Sequence, residues 1–272
     1  DDADNAIFVA HCPERVLPGQ IMEEMESNDR VVGGLTPRGT EKATSLYRLF
    51  CTAELLQTDA TTAEMAKLTE NSFRDVNIAF ANELSLISDK LGIDVWELIE
   101  LANHHPRVNI LQPGPGVGGH CIAVDPWFIV SSAPEEAKII ELARKVNNGK
   151  PDWVIGKVEA ALSELDNPVT ATLGISFKSD IDDLRESPSL EIVKRLGIEN
   201  PQMDIRVVEP NIAELPDSLS GMENVSLQDL EMALSAADLV LLLVDHKEFK
   251  ALDRARLEGK IVIDTRGVWR ER

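Results

Sequence analysis

The spacing of apolar residues along this chain changes twice, dividing it into three stretches. In residues 1–58, short apolar runs at Ile7–His11, Arg30–Gly33 and Ala53–Gln57 read as strands. Between them Thr36-Pro37 reads as a helix start, a capping hydroxyl followed by Pro in the first turn. Strand, loop, strand, helix, strand is too little for a domain, and the segment reads as the tail of an α/β domain whose start lies upstream. From residue 59 the period lengthens. Thr61 and Glu64 have capping-box spacing, and Val76, Phe80, Leu84, Ile87 and Leu91 then recur on one face until Gly92. This predicts one helix of about 30 residues, roughly 45 Å long. Further helices are expected from Asp94 to His105-Pro106, from Pro134 to about Asn148, and from Pro151 onward.

Beyond residue 166, strands and helices alternate. Strands are expected at Thr170–Phe177, Ile205–Val208, Leu239–Val244 and Lys260–Asp264, with helices from Ser187-Pro188 to Gly197 and over Leu227–Ala236. Nearly continuous apolar strands between amphipathic helices predict a parallel sheet covered on both faces. Such sheets bind ligands beyond the carboxyl ends of their strands, where Phe177, Lys178, Glu209, Asp245 and Arg266 fall.

Composition narrows the function classes. The chain has 272 residues, room for about two domains, and 43% are apolar, which argues for a packed core over disorder. The net charge of −20 argues against a nucleic-acid binder and against adsorption to an anionic membrane. No apolar run approaches the roughly 20 residues that a membrane-spanning helix needs. Cys12, Cys51 and Cys121 are too few and too scattered for a disulfide framework, so a reducing, cytoplasmic setting is expected. No signal peptide is recognised, and because the chain begins at Asp1 its true beginning is expected upstream.

Three constellations could carry chemistry. Gln112–Pro126 (QPGPGVGGHCIAVDP) places four glycines within six residues and ends them two positions before Cys121. Glycines let backbone approach a ligand closely, and a thiol after such a loop is a candidate nucleophile if its thiolate is stabilised; the competing reading is a flexible turn before a buried structural cysteine. The loop fits neither a Walker phosphate loop nor a dinucleotide fingerprint. On the long helix, Lys67, Asn71 and Arg74 share one face, where a Lys and an amide could hold a developing oxyanion, or simply face solvent. Phe177-Lys178 and Arg185-Glu186-Ser187 bracket a loop leading to a helix N-terminus, a setting that suits a diphosphate or an ordinary surface loop. His104, His105, His120, Cys121 and Asp125 fit no common zinc spacing, so no metal is expected.

Five ordered blocks carry a resemblance to a known family: CPERVLPGQ (Cys12–Gln20), AEMAKLTENSFRDVNIAFANELS (Ala63–Ser85), HPRVNILQPGPGVGGHCIAVDPWF (His105–Phe128), GISFKSDIDDLRESP (Gly174–Pro188) and DTRGVW (Asp264–Trp269). Together they resemble the UDP-glucose/GDP-mannose dehydrogenase family over essentially the whole chain. The resemblance implies an α/β protein: residues 1–58 the end of a Rossmann-type NAD-binding domain, 59–165 an all-helical region with one long dimerising helix, and 166–272 a parallel-sheet, Rossmann-like UDP-binding domain. The glycine-rich segment that would hold most of NAD is expected outside this chain.

The implied reaction is an NAD-dependent, four-electron oxidation of a UDP-sugar at C6, through a thiohemiacetal and a thioester on Cys121, supplying precursors of surface polysaccharide. The His120-Cys121 wording and Val124-Asp125 are nearest to the branch acting on UDP-N-acetyl-D-mannosamine. UDP-N-acetylglucosamine or UDP-glucose as substrate, or a UDP-sugar-binding fragment without activity, are the alternatives, and the chain alone is expected to be inactive without its NAD domain. By the resemblance, Lys67 and Asn71 stabilise oxyanions and position water, Asp125 assists the thiol or the water, and Glu14 is a general acid–base. Arg15, Val16, Arg74, His105, Arg107 and Gly118 match sugar-contacting positions, and Phe177, Lys178 and Arg266 the UDP side. Arg185 matches a residue facing the cofactor, and the His105–Arg107 segment matches one that reaches a neighbouring subunit, so a homodimer is implied.

Overall fold

The computed structural model describes residues 7–16, 20–119 and 121–270. In chain order, the first elements are β1 (Ala10–His11), α1 (Ile21–Ser27), β2 (Arg30–Gly34), α2 (Pro37–Tyr47), β3 (Leu55–Asp59) and the long α3 (Ala60–Leu91). Three more helices follow: α4 (Val95–Asn103), α5 (Asp125–Ser132) and α6 (Lys138–Leu162). The remainder alternates as β4 (Val169–Leu173), α7 (Pro188–Glu199), β5 (Asp204–Val208), α8 (Asp217–Ser220) and β6 (Val225–Leu227). It ends with α9 (Leu230–Ala236), β7 (Leu239–Leu242), α10 (Lys247–Lys250), a 3₁₀ turn (Arg254–Leu257) and β8 (Ile261–Asp264). These elements form two compact units. One holds the described residues up to Phe73 together with Asp125–Pro134; the other holds Arg74–Val124 and Glu135 onward.

The first unit is a small sheet of order β1-β2-β3, with β1 antiparallel and β3 parallel to β2. Thr36 caps α2 by accepting from the Gly39 N–H at 3.1 Å, and Pro37 opens the helix, as its sequence predicts. The side-chain hydroxyl of Thr40 ties strand to helix: it accepts from the Gly34 N–H at 2.9 Å and donates to the Thr58 carbonyl at 3.1 Å. Asp59 holds the start of α3 through the N–H and hydroxyl of Thr62, at 2.9 and 2.7 Å, and these bonds hold its carboxyl below the usual range. The expected first strand is shorter than its apolar run, starting at Ala10 rather than Ile7, because only Ala10 and His11 find partners on β2. Helix α1 was not foreseen; its IMEEMES stretch buries no residue and offers no clear period.

In the second unit, five strands lie parallel in the order β6-β5-β4-β7-β8. This is the doubly wound arrangement expected from the alternating pattern. Its central strands β4 and β7 are almost wholly buried because both of their faces are covered, and β7 is apolar throughout. One face buries Ile205, Val207, Leu239 and Leu241 under Ile192 and Leu196 of α7 and Val154 and Val158 of α6. The other buries Leu173, Val240 and Leu242 beneath Leu234, Phe249 and Trp269. The apolar runs overshoot the strands: β4 stops at Leu173 and β7 at Leu242, where the chain turns toward the sheet's ligand edge. Strand β6, three residues long, was not foreseen, and the expected helix at Leu227 begins three residues later, where the Asp229 side chain accepts from the Met232 N–H.

Helix α3 ends at Gly92, whose φ of +70° is the left-handed stop its sequence predicts. Asp94 then caps α4 through the N–H groups of Trp96 and Glu97 at 2.7 and 3.2 Å. The region between Pro134 and Leu162 corrects an expectation. Instead of two helices divided at Pro151, there is one, α6, with Pro151 inside it. An interior proline costs roughly 3 kcal/mol in lost hydrogen bonding and steric clash. Burial on both sides offsets that cost, with Ala143 and Asn147 packed before it and Val154, Ile155 and Val158 after it.

Candidate functional site

In the second unit, three strand or helix ends converge on the glycine loop that leads to Cys121. A Cβ on Gly114 would stand 2.6 Å from a guanidinium nitrogen of Arg266, just past β8. A Cβ on Gly118 would collide with the Glu186 carbonyl oxygen and stand 2.7 Å from Pro188 Cδ. One on Gly119 would meet the Phe177 ring at 3.3 Å. The glycines are therefore there for close approach to other parts of the same site, the physical reason their sequence density suggested. The expected UDP-side residues Phe177 and Arg266 and the expected sugar contact Gly118 are thus brought together. Lys178 follows Phe177 and is exposed.

The groups around this convergence are anchored from beneath. Arg266 makes a pair of bonds to Asp245 Oδ1 at 3.1 and 3.0 Å, and Lys250 reaches the other oxygen at 2.6 Å. Burial works against the Asp245 carboxylate, but the two cations outweigh it and hold its pKa below the usual range. Ser187 caps α7, accepting from the Leu190 N–H at 3.3 Å, while its hydroxyl donates to the Ile175 carbonyl at 2.7 Å. Glu209, beyond β5, accepts from the N–H groups of Ile175 and Ser176 at 2.9 and 3.1 Å and meets the buried His246 ring. Its burial is likewise outweighed, by His246 and these N–H groups, so it is held ionised. His246 Nδ1 in turn accepts from the Asp180 N–H at 2.9 Å, pinning the loop that carries Phe177 and Lys178.

Cys121 is exposed, in no disulfide, and its carbonyl accepts from the Val124 N–H at 3.0 Å. Arg185 is exposed and braced by Asp183, whose carboxylate takes its Nε and Nη2 at 2.9 and 2.6 Å. His105 and Arg107 project on an exposed irregular stretch. Asn103 closes that stretch by bonding both the N–H and the carbonyl of Ile110, at 2.7 and 3.0 Å. Arg74 is exposed on α3.

In the first unit, the structure joins two of the expected catalytic residues: Asn71 Nδ2 donates to Asp125 Oδ2 at 2.5 Å. Lys67 stands one turn before Asn71 on α3, half-buried. Arg15 pairs with Glu70 at 2.9 Å and donates to the Asp29 carbonyl at 3.2 Å. Exposed Glu14 accepts a short bond from the Val16 N–H. Cys12 sits apart from these, beside Tyr47; burial pushes both groups up. Among the described residues, no three His, Cys, Asp or Glu side chains are grouped to hold a metal; His120 lies outside the described residues.

Sequence reasoning missed the support beneath the glycine loop. Buried Asn82 on α3 accepts the Gly114 N–H at 2.9 Å. It belongs to a polar ladder between α3 and α6 that includes Asp75, Arg144, Asn147, Ser85 and Lys150. The available signal was Asp75, Asn82 and Ser85 falling on one helical face, seven and three residues apart, which the apolar-only pattern passes over.

Comparison with known proteins gives the following. Three profiles of the UDP-glucose/GDP-mannose dehydrogenase family match in order: its NAD binding domain at residues 1–51, its central domain at 61–149 and its UDP binding domain at 171–271. A curated relative from Ralstonia solanacearum, named NDP-N-acetyl-D-galactosaminuronic acid dehydrogenase, is 59% identical over 97% of this chain and 61% of its own length. A relative from Yersinia pestis, named UDP-N-acetyl-D-mannosamine dehydrogenase, is 56% identical over 97% of this chain and 64% of its own. The solved UDP-D-ManNAc dehydrogenase of Pyrococcus horikoshii superposes with a TM-score of 0.83 at 38% identity, over 97% of this chain and 62% of that one. The chain thus spans somewhat over 60% of the length of the curated relatives it matches.

Proposed function

The chain belongs to the UDP-glucose/GDP-mannose dehydrogenase family, and from that premise we propose that it is the thiol- and substrate-bearing part of an enzyme that oxidises C6 of a UDP-N-acetylhexosamine to the carboxylate. The observation that carries this reading is the glycine loop: it packs among Phe177, Pro188 and Arg266 at the ligand edge of a parallel sheet and delivers Cys121 two residues later. UDP-N-acetyl-D-mannosamine is the substrate of first choice, supported by the Yersinia relative's name. The Ralstonia relative's name favours a galactosamine-type sugar as the second reading.

In this mechanism the Cys121 thiol adds to the C6 aldehyde left by the first oxidation, forming a C–S bond and a thiohemiacetal. Covalent capture keeps the aldehyde from escaping or hydrating. Loss of a second hydride leaves a thioester, and water cleaves it to the carboxylate and the free thiol. Lys67 and Asn71 donate to the developing oxyanion. Asp125, already accepting from Asn71, takes a proton from the thiol or the attacking water, with Glu14 as the acid–base of the hydrolytic half. Arg15, Val16, Arg74, His105, Arg107 and Gly118 contact the sugar, while Phe177, Lys178 and Arg266 hold the UDP. Two NAD⁺, bound in turn, would each accept one hydride; Arg185, exposed and braced by Asp183, offers the cofactor a guanidinium suited to a phosphate. Segments 1–58, 59–165 and 166–272 take the cofactor, dimer and UDP parts of this division.

A homodimer through α3 is part of the proposal. Phe73, Phe80 and Ile87 recur every seven residues on that helix and are 69%, 53% and 45% exposed, an apolar line that suits a second copy. No helix among the described residues is long and apolar enough to cross a membrane; three scattered cysteines suit a reducing cytoplasm.

Titration calorimetry tests the substrate assignment. Tighter binding of UDP-N-acetyl-D-mannosamine than of plain UDP, weakened by Arg266→Ala, is expected. Equal binding of UDP-glucose, UDP-N-acetylglucosamine and UDP-N-acetylgalactosamine would remove the mannosamine assignment, and no binding of any would remove the reading.

A further inference from the structure

The loop before Cys121 is tied to the helical region through one fully buried amide. Asn82 Oδ1 accepts the Gly114 N–H at 2.9 Å, and its Nδ2 donates to Asn147 Oδ1 at 2.8 Å. Asn147 Nδ2 donates in turn to Asp75 Oδ1 at 2.8 Å and to the Asp75 carbonyl at 3.1 Å. Asp75 closes the chain by pairing with Arg144 at 2.6 Å. Asp75, Asn82, Arg144 and Asn147 are all at most 2% exposed. Burying an ion pair and two amides gains little net stability, because desolvation consumes most of the attraction. What such a network supplies is a fixed position, since the amides of Asn82 and Asn147 find their partners only in this one arrangement.

Pro151 adds a second thread. Having no N–H, it leaves the carbonyl of Asn147, four residues earlier, without its usual partner inside α6. That carbonyl oxygen lies 3.6 Å from where a Cβ of Gly116 would stand. The one backbone bond that the helix forgoes is thus at the residue whose side chain bridges to Asn82, and that carbonyl faces the glycine loop. The same ladder continues one turn on, where Lys150 donates to Ser85 Oγ at 2.8 Å and that hydroxyl donates to the Asn82 backbone carbonyl at 2.6 Å.

We propose that Asn82 and Asn147 are positioning residues that set the glycine loop, and with it Cys121, by relaying the fixed geometry of the Asp75–Arg144 pair to the Gly114 amide. The proposal rests on the reading of Cys121 as the nucleophile, but its test does not need turnover. Hydrogen exchange of the Gly114 amide and iodoacetamide alkylation of Cys121, followed on its own peptide by mass spectrometry, are measured for the wild type, Asn82→Leu and Ser85→Ala.

In the wild type, the Gly114 amide should exchange far more slowly than the exposed Gln112 amide. Asn82→Leu should speed that exchange about tenfold and change the alkylation rate at least about threefold, the range expected for losing one or two buried hydrogen bonds. Ser85→Ala, which removes the Lys150 bond and a bond to the Asn82 backbone carbonyl but leaves both Asn82 side-chain bonds in place, should lower the melting temperature and leave both rates unchanged. Equal rates for Gly114 and Gln112 in the wild type would overturn the proposal even if Asn82→Leu failed to fold. So would an Asn82→Leu protein with wild-type rates, or a Ser85→Ala protein with the same changes as Asn82→Leu. Failure of the catalytic reading would show separately, as absent UDP-sugar binding in a wild type whose Gly114 amide is protected.

Discussion

The C-terminal sheet and the packing of α6 against the part of α3 from Arg74 onward lie in the same unit but are held together by opposite means. On one face of the sheet Leu239, Leu241 and Ile205 pack in an apolar core, and on the other Leu173 and Phe249 do. Between α3 and α6, the fully buried contacts are Asp75–Arg144, Asn82–Asn147 and Ser85–Lys150. Apolar burial is strong and undirected, so it serves a platform. Hydrogen-bonded burial gives little net energy and fixes geometry closely, so it serves the element from which a reactive loop is hung. The difference teaches where to look for positioning: in the polar residues of a helix face that solvent does not reach.

The largest effect is expected from removing one partner of the buried pair. Arg144→Leu strands the Asp75 carboxylate, whose pKa burial already raises against the pull of Arg144 and Asn147. The expected loss is about 4 kcal/mol in urea unfolding. Replacing both, as Asp75→Leu with Arg144→Leu, should recover most of that stability while the Gly114 amide stays deprotected. A double variant as unstable as the single would mean that the pair is there for energy, as the sheet core is. In the sheet, Leu241→Ala should cost about 3 kcal/mol with no change at Gly114; a change there would erase the division of labour.

A smaller effect concerns pH. Lys150, buried against Trp153, is pushed down from 10.5 to about 8, chiefly by desolvation, with Asp89 pulling the other way. Between those values the unfolded chain holds a proton that the folded one has shed, so stability rises with pH across that window and is lost as pH falls through 8. The gain should be on the order of 2 kcal/mol between pH 8 and 10.5, and absent in Lys150→Met. An unchanged slope in that variant would show that Lys150 is not the group responsible.

Legibility in the sequence divides along the same line. The doubly wound sheet was readable because LVLLLV and its neighbours can only be strands buried on both faces, and Thr36-Pro37, Gly92 and Asp94 marked helix ends by their own chemistry. The single helix across Pro151 was not readable, because the packing that overrides the proline comes from residues remote in sequence. The close approach of the glycine loop to Phe177 and Arg266 was legible in part: glycine density announced a neighbour, and the family resemblance indicated which. Asn82 and Asn147 escaped because a buried amide and a solvated one look alike in a single sequence. Only the partner, 65 residues away, distinguishes them.

In the proposed complex, a UDP-sugar sits on the convergence of Phe177, Arg266 and the glycine loop with its sugar toward Cys121. The direct measurement is the rate of Cys121 alkylation in the presence of UDP-N-acetyl-D-mannosamine, of UDP, and of neither. The account predicts that UDP-N-acetyl-D-mannosamine slows the reaction and that UDP, which lacks the sugar, slows it much less. An alkylation rate unchanged by saturating UDP-N-acetyl-D-mannosamine would contradict it.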